Sequence, residues 1–150
     1  MTTHVPVKIK KLREDAILPK YGTPYAAGAD LYACMDEDEL TIDSGETKFV
    51  HTGVSIELPE GTVGLVYARS GLAMKRDIAP ANKVGVVDSD YRGEIMVAMH
   101  NHGKVARKIE KGERVAQLVV APYYTADFEL VDELEESGRG TGGFGSTGTK

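Results

Sequence analysis

Three features of the sequence predict an all-β sandwich or barrel built as one domain. Apolar residues recur with period two wherever a pattern is legible, clusters of Gly, Pro, Asn and Asp break the runs at roughly ten-residue spacing, and only one short stretch invites a helix. At 150 residues the chain is the size of one ordinary domain, which buries about two-thirds of its unfolded surface and needs no disulfide staples. Its 41% hydrophobic and 27% charged residues exclude a disordered chain.

Taken from the start, Val5, Val7 and Ile9 alternate with His4, Pro6, Lys8 and Lys10. Tyr21-Gly22-Thr23-Pro24 and Asp43-Ser44-Gly45 follow as turn signals. Val54, Ile56 and Leu58 alternate with Ser55 and Glu57, and Pro59-Glu60-Gly61 ends that run. Val63, Leu65 and Tyr67 alternate with Gly64, Val66 and Ala68. Ser70 is expected to cap a helical turn through Gly71-Leu72-Ala73-Met74-Lys75 that ends near Asp77. Ile95, Val97 and Met99 form the next alternation, closed by Asn101-His102-Gly103. Arg114 to Val120 is apolar on both parities, as in a strand covered on both faces. Phe128 to Glu136 reads as a strand in preference to a short acidic helix. The composition then shifts: 137–149 holds six Gly and five Ser or Thr, too little to pack a core, together with Arg139 and Phe144, which a simple spacer does not need. The division expected is a β domain over 1–136 and a Gly-rich tail over 137–150.

No run approaches ~18 consecutive apolar residues, so no membrane-spanning helix is expected. The first ten residues hold no long apolar stretch and no small-residue cleavage site, so no secretory leader is expected either. A single cysteine, Cys34, excludes an internal disulfide and fits a reducing cytoplasm; without an activating partner it reads as a small buried hydrophobe. With 23 acidic against 18 basic residues and a net charge of -5, nucleic acid is a poor candidate partner.

Several motif matches fail on context. Gly138-Arg139-Gly140-Thr141-Gly142-Gly143 fits a dinucleotide fingerprint by letter, but the strand, the helix and the acidic residue ~20 positions on that give it meaning are missing. Gly103-Lys104 is followed by Val105, so no phosphate loop forms. His100 and His102 lack a third ligand nearby in sequence, and a turn after a strand explains them better.

Five runs remain that mix Gly with polar residues of no evident core purpose. Ala27-Gly28-Ala29-Asp30-Leu31-Tyr32-Ala33 reads alone as a turn with Asp30 as its cap. Ala68-Arg69-Ser70-Gly71-Leu72-Ala73 is a strand end opening into a helical turn with free N–H groups. In Gly85-Val86-Val87-Asp88-Ser89-Asp90-Tyr91-Arg92-Gly93-Glu94, an extended backbone would point Asp88 and Asp90 the same way; the plainer reading is a solvated hairpin turn. Gly112-Glu113-Arg114-Val115-Ala116-Gln117-Leu118 puts an amide in an apolar strand, where it must find a partner. Arg139-Gly140-Thr141-Gly142-Gly143-Phe144-Gly145-Ser146-Thr147-Gly148 offers glycine-freed N–H groups, hydroxyls and an arginine to a polyphosphate, and a ring to a planar base.

In this order and spacing the five runs resemble the five motifs of the trimeric deoxyuridine triphosphatase (dUTP diphosphatase) family, over nearly the whole chain from Val5 to Gly148. The third and fifth are the specific ones. Ala68 departs from the pattern, since relatives often carry Gly or Pro there. The resemblance implies a distorted β-barrel or jelly-roll subunit in a homotrimer with three shared sites. Each site takes the first, second and fourth motifs from one subunit, the third from a neighbour and the tail from the last. It implies hydrolysis of dUTP to dUMP and pyrophosphate with Mg2+, which limits uracil incorporation into DNA and supplies dUMP for thymidylate synthesis. By motif match, Asp88 would activate the water that attacks the α-phosphorus, Tyr91 would lie against the deoxyribose and exclude a 2′-hydroxyl, and Asn82 would read the uracil edge. Asp30 and Gln117 would hold waters of the magnesium ion. Arg69, Ser70, Gly71 and Arg114 would meet the phosphates. From the tail, Arg139, Gly145, Ser146 and Thr147 would grip the γ-phosphate end while Phe144 covers the base.

Three other readings compete. A deoxycytidine triphosphate deaminase shares the fold but needs a proton-shuttling Glu at the base, and the third run offers only Glu94. A binding protein that has lost catalysis is disfavoured by intact Asp88, Asp30, Gln117 and Phe144, and a generic β-sandwich adhesion module leaves the tail unexplained.

Overall fold

The structure is a computed structural model that describes residues 3–148. Twelve short strands and one helix follow in the order β1 (Lys8–Lys11), β2 (Lys20–Tyr21), β3 (Ala29–Tyr32), β4 (Glu39–Ile42), β5 (Thr47–His51), β6 (Val54–Glu57), β7 (Thr62–Ala68), α1 (Ser70–Lys75), β8 (Ile78–Pro80), β9 (Gly85–Val87), β10 (Met96–Asn101), β11 (Arg107–Glu110) and β12 (Arg114–Pro122). All pairings are antiparallel. A five-stranded sheet in the order β2-β3-β12-β7-β9 is joined by a three-stranded sheet, β5-β10-β8, and by the pairs β1-β6 and β4-β11. Together they wrap one core in a distorted jelly-roll barrel, with Leu31, Ile42, Val50, Ile78, Met99, Ile109 and Val115 at its centre.

Period-two alternation explains which residues point inward. Val97 and Met99 of β10 are buried while Met96 is exposed. In β12, the inner strand between β3 and β7, Val115, Ala116 and Leu118 are buried and Val119 and Val120 are half-buried. In β7 the inward set is Gly64 and Val66, leaving Val63, Leu65 and Tyr67 outward. A Cβ at Gly64 would stand 3.1–3.3 Å from Leu118, Val87 and Leu58, so the inner face has no room for a side chain there. Asn101 is a buried polar residue with its needs met: Nδ2 donates to the carbonyls of Ile42 and Val105, and Oδ1 accepts the Gly103 N–H. Cys34 is buried against Ala16 and Val54, and burial pushes its thiol pKa up, as expected of an inert packing residue.

Three local expectations are corrected. Val5 and Ile9 are exposed, and β1 shows no buried face, because it pairs only with β6 at the margin of the barrel. Residues 128–136 form no strand: Phe128 and Leu130 are almost wholly exposed and pack on nothing that would hold them extended. Ser70 does not cap α1, since the cap position is Arg69 and no side chain bonds there; Ser70 is the first helical residue and the helix ends at Lys75. The plainer reading of the third run holds: β9 stops at Val87, and the Tyr91 N–H donates to the Asp88 carbonyl across a turn, so Asp88 and Asp90 do not lie along an extended strand.

Candidate functional site

The first, second and fourth runs converge. Register sets Gln117 of β12 between Asp30 of β3 and Tyr67 of β7. Arg69, just past the end of β7, donates from Nε to Asp30 Oδ1 at 2.9 Å and from Nη1 to the Arg114 carbonyl at 3.4 Å. Arg114 Nη1 lies 3.5 Å from Asp30 Oδ2. Two guanidinium groups thus meet one largely buried carboxylate on a protein of net negative charge, a concentration of positive charge suited to an anion. Gln117 Nε2 donates to the Ala68 carbonyl at 2.9 Å, which satisfies the amide and turns Oε1 toward Gly28. A Cβ at Gly28 would overlap that oxygen, so glycine here leaves the acceptor its place. Ser70 and Gly71 are exposed at the start of α1, and the Ser70 hydroxyl is not spent on the cap.

The third run builds a different place. Gly85 to Val87, the turn at Asp88–Tyr91 and the start of β10 enclose a pocket of about 250 Å³ lined by Asn82, Asp88, Tyr91, Phe49 and Met96 among others. A non-glycine φ of 66° at Lys83 and the Val84 N–H donating to the Asn82 carbonyl tighten its entrance. The Tyr91 phenol donates to the Glu94 carbonyl at 2.9 Å, and its ring crosses Gly93 so closely that a Cβ there would overlap it.

The pocket reaches Val66, in the middle of β7, and Gly85, its partner in β9, while the Asp88 turn lies near the start of β7 and Arg69 just past its end. Gly64 pairs with Val87, so Asp88 lies level with Val63, whereas Arg69 lies six positions further along. At about 3.3 Å per residue that is roughly 20 Å along the strand. The tail joins neither place. Arg139 Nε bonds the Gly142 carbonyl and the Ser146 N–H bonds the Gly143 carbonyl. Phe144, at φ 52°, is fully exposed, and Gly145 and Thr147 are exposed beside it.

Among the described residues no three His, Cys, Asp or Glu side chains gather as a metal cage. His100 Nδ1 meets Thr47 Oγ1 instead, and His102 stands 4.0 Å from Asp77. Sequence reasoning weighed Glu94 only as a deaminase's proton shuttle. Its Oε1 accepts the Gly53 N–H and its Oε2 meets His51 Nδ1, each at 2.8 Å, and no local pattern signals bonds across more than forty positions.

The family model described as dUTPase matches residues 14–148. A deoxyuridine 5′-triphosphate nucleotidohydrolase of Desulfitobacterium hafniense is 52% identical over 147 residues, covering 96% of this chain and 97% of its own. The protein of the same name from Maricaulis maris is 49% identical and covers 97% and 98%. Among solved structures, the dUTPase of Staphylococcus bacteriophage 80alpha with dUPNHPP superposes with a TM-score of 0.88 at 28% identity, covering 96% of this chain and 99% of that one.

Proposed function

Because the chain belongs to the dUTPase family and is an enzyme of the dUTP diphosphatase class, we propose that it cleaves dUTP to dUMP and pyrophosphate by in-line attack of an Asp88-activated water on the α-phosphorus. The observation that carries the reading is the convergence of Arg69 and Arg114 on Asp30 beside the Gln117 amide. A triphosphate brings about four negative charges, and this is where an acidic protein has gathered cations to meet them. Arg69 and Arg114, freed from Asp30, turn to phosphate oxygens, and Ser70 and Gly71 supply neutral donors at the leaving pyrophosphate. The pocket at Asn82 takes the base: its backbone and amide match the uracil edge, and a cytosine leaves them mispaired. Tyr91 presses its ring against the sugar and leaves no room for a 2′-hydroxyl.

The donor chemistry fits Mg2+ held mainly by the substrate. Asp30 and the free Gln117 Oε1 are acceptors suited to metal-bound waters, and the ion would neutralise phosphate charge there. The remaining roles belong to the chain: Arg69 and Arg114 orient the phosphates, and Asp88 takes the proton from water.

The 20 Å gap along β7 supports a shared site in which a second subunit of a homotrimer lends Asp88. Leu65, paired with both Val119 and Val86, makes an outward apolar stripe on the five-stranded sheet suited to a second copy. The 137–150 arm, with Arg139, Phe144, Gly145, Ser146 and Thr147, closes over the loaded site and expels water. No helix of the described residues is long and apolar enough to cross a membrane, and we place the enzyme in the cytoplasm with limiting uracil in DNA and supplying dUMP as its roles.

Pyrophosphate release measured side by side from dUTP, dCTP, dTTP and UTP tests the reading: dUTP alone is turned over at speed. Ammonia released from dCTP would favour the deaminase instead, although the Glu94 carboxylate such chemistry needs is engaged by Gly53 and His51. Gly28→Ala is a local check. The added methyl displaces Gln117 Oε1, and kcat/KM for dUTP falls about tenfold with the melting temperature little changed, as steady-state kinetics beside a thermal melt will show.

A further inference from the structure

Among the described residues the Tyr91 phenol makes a single hydrogen bond, to the Glu94 main-chain carbonyl. The half-exposed ring also lies across Gly93, so the turn that carries Gly93 and Glu94 sets where the ring stands. Glu94 is fixed through its own side chain. Oε1 accepts the Gly53 N–H and Oε2 accepts from His51 Nδ1. Both donors flank the β5–β6 turn, which is itself rigid: Gly53 sits at φ 69°, where a Cβ would press within 2.8 Å of Ala16 and Cys34. The neighbouring residue is tied down as well, because Thr52 Oγ1 donates to the Ile95 carbonyl at 2.6 Å and the Ile95 N–H donates to Val54 O. His51 also pairs with Met96 in the β5–β10 ladder. Glu94, two positions before Met96, therefore extends that ladder by a side chain just past its last backbone bond. A carboxylate suits this place because it accepts from two elements at once, and charge strengthens both bonds.

We propose that Glu94, clasped by Gly53 and His51, is the positioning residue that holds Tyr91 over the sugar and so sets how strongly a 2′-hydroxyl is refused. The assignment rests on the dUTP reading above. Glu94 touches no reacting atom in this scheme; it acts through the placement of a ring, where small displacements carry large kinetic consequences.

The test compares kcat/KM for dUTP and for UTP, with Mg2+, in full-length wild type, Glu94→Ala, Glu94→Gln and His51→Ala. Glu94→Ala lowers the dUTP-to-UTP preference about tenfold. Glu94→Gln keeps an oxygen for the Gly53 N–H and restores most of the preference. His51→Ala, at a half-exposed position that the core does not depend on, lowers it by a smaller factor of about three. A wild-type enzyme active on dUTP together with an unchanged preference in both Ala variants overturns the assignment, even where melting temperatures fall. Wild type inactive on dUTP overturns the function reading itself and the assignment with it.

Discussion

Asp88→Asn should lower kcat for dUTP by ~10²-fold or more while dUTP still titrates onto the variant as it does onto wild type. The amide has the size of the carboxylate and keeps one oxygen to hold the water, but it does not take a proton at neutral pH, so the loss falls on turnover and not on affinity. The fold is untouched by the change. Asp88 is exposed, its carboxylate makes no hydrogen bond among the described residues, and the Tyr91 N–H that closes the turn bonds to the main-chain carbonyl, which the substitution preserves. Calorimetric titration beside single-turnover pyrophosphate release separates the two quantities. A variant that turns over at the wild-type rate removes Asp88 from its role.

Deleting the chain from Ser137 onward should abolish detectable turnover and leave the melting temperature where it was. The barrel core contains no residue of this segment, and the tail's hydrogen bonds run within itself, from Arg139 to Gly142 and from Ser146 to Gly143. Its removal therefore costs no packing. What it costs is the guanidinium at the far phosphate and the ring over the base, along with the exclusion of water that strengthens every charge contact inside the site. Thermal melts and a pyrophosphate assay on the truncated protein give both outcomes; full activity without the arm would end its role as a lid.

How much of this was legible in the sequence depended on the length of each signal. Alternation over six residues located β10, apolar residues on both parities located β12, and turn residues marked their ends. The strands β4 and β11 escaped notice because a four-residue strand carrying one wholly buried side chain, Ile42 or Ile109, does not establish a period. In β7 both parities carry apolar residues, so the alternation left the inward face open; tight packing sets Gly64 and Val66 inside, and the larger Leu65 and Tyr67 look outward. The apolar residues of 128–136 misled, since they are exposed and pair with no strand among the described residues. The polar runs were more legible than the strands, because Asp30, Arg69, Arg114 and Gln117 come together by register. Glu94 was invisible as a clasp, for its partners lie on the far side of the barrel sequence.

The shared site can be examined by co-refolding two inactive proteins, Asp88→Asn and Arg69→Ala, in equal amounts. If one subunit holds the phosphates and another lends the carboxylate, random trimers contain intact sites built from the good half of each, and about a quarter of wild-type activity returns. A mixture no more active than its parents, from subunits shown to have mixed, would mean that each chain works with its own Asp88.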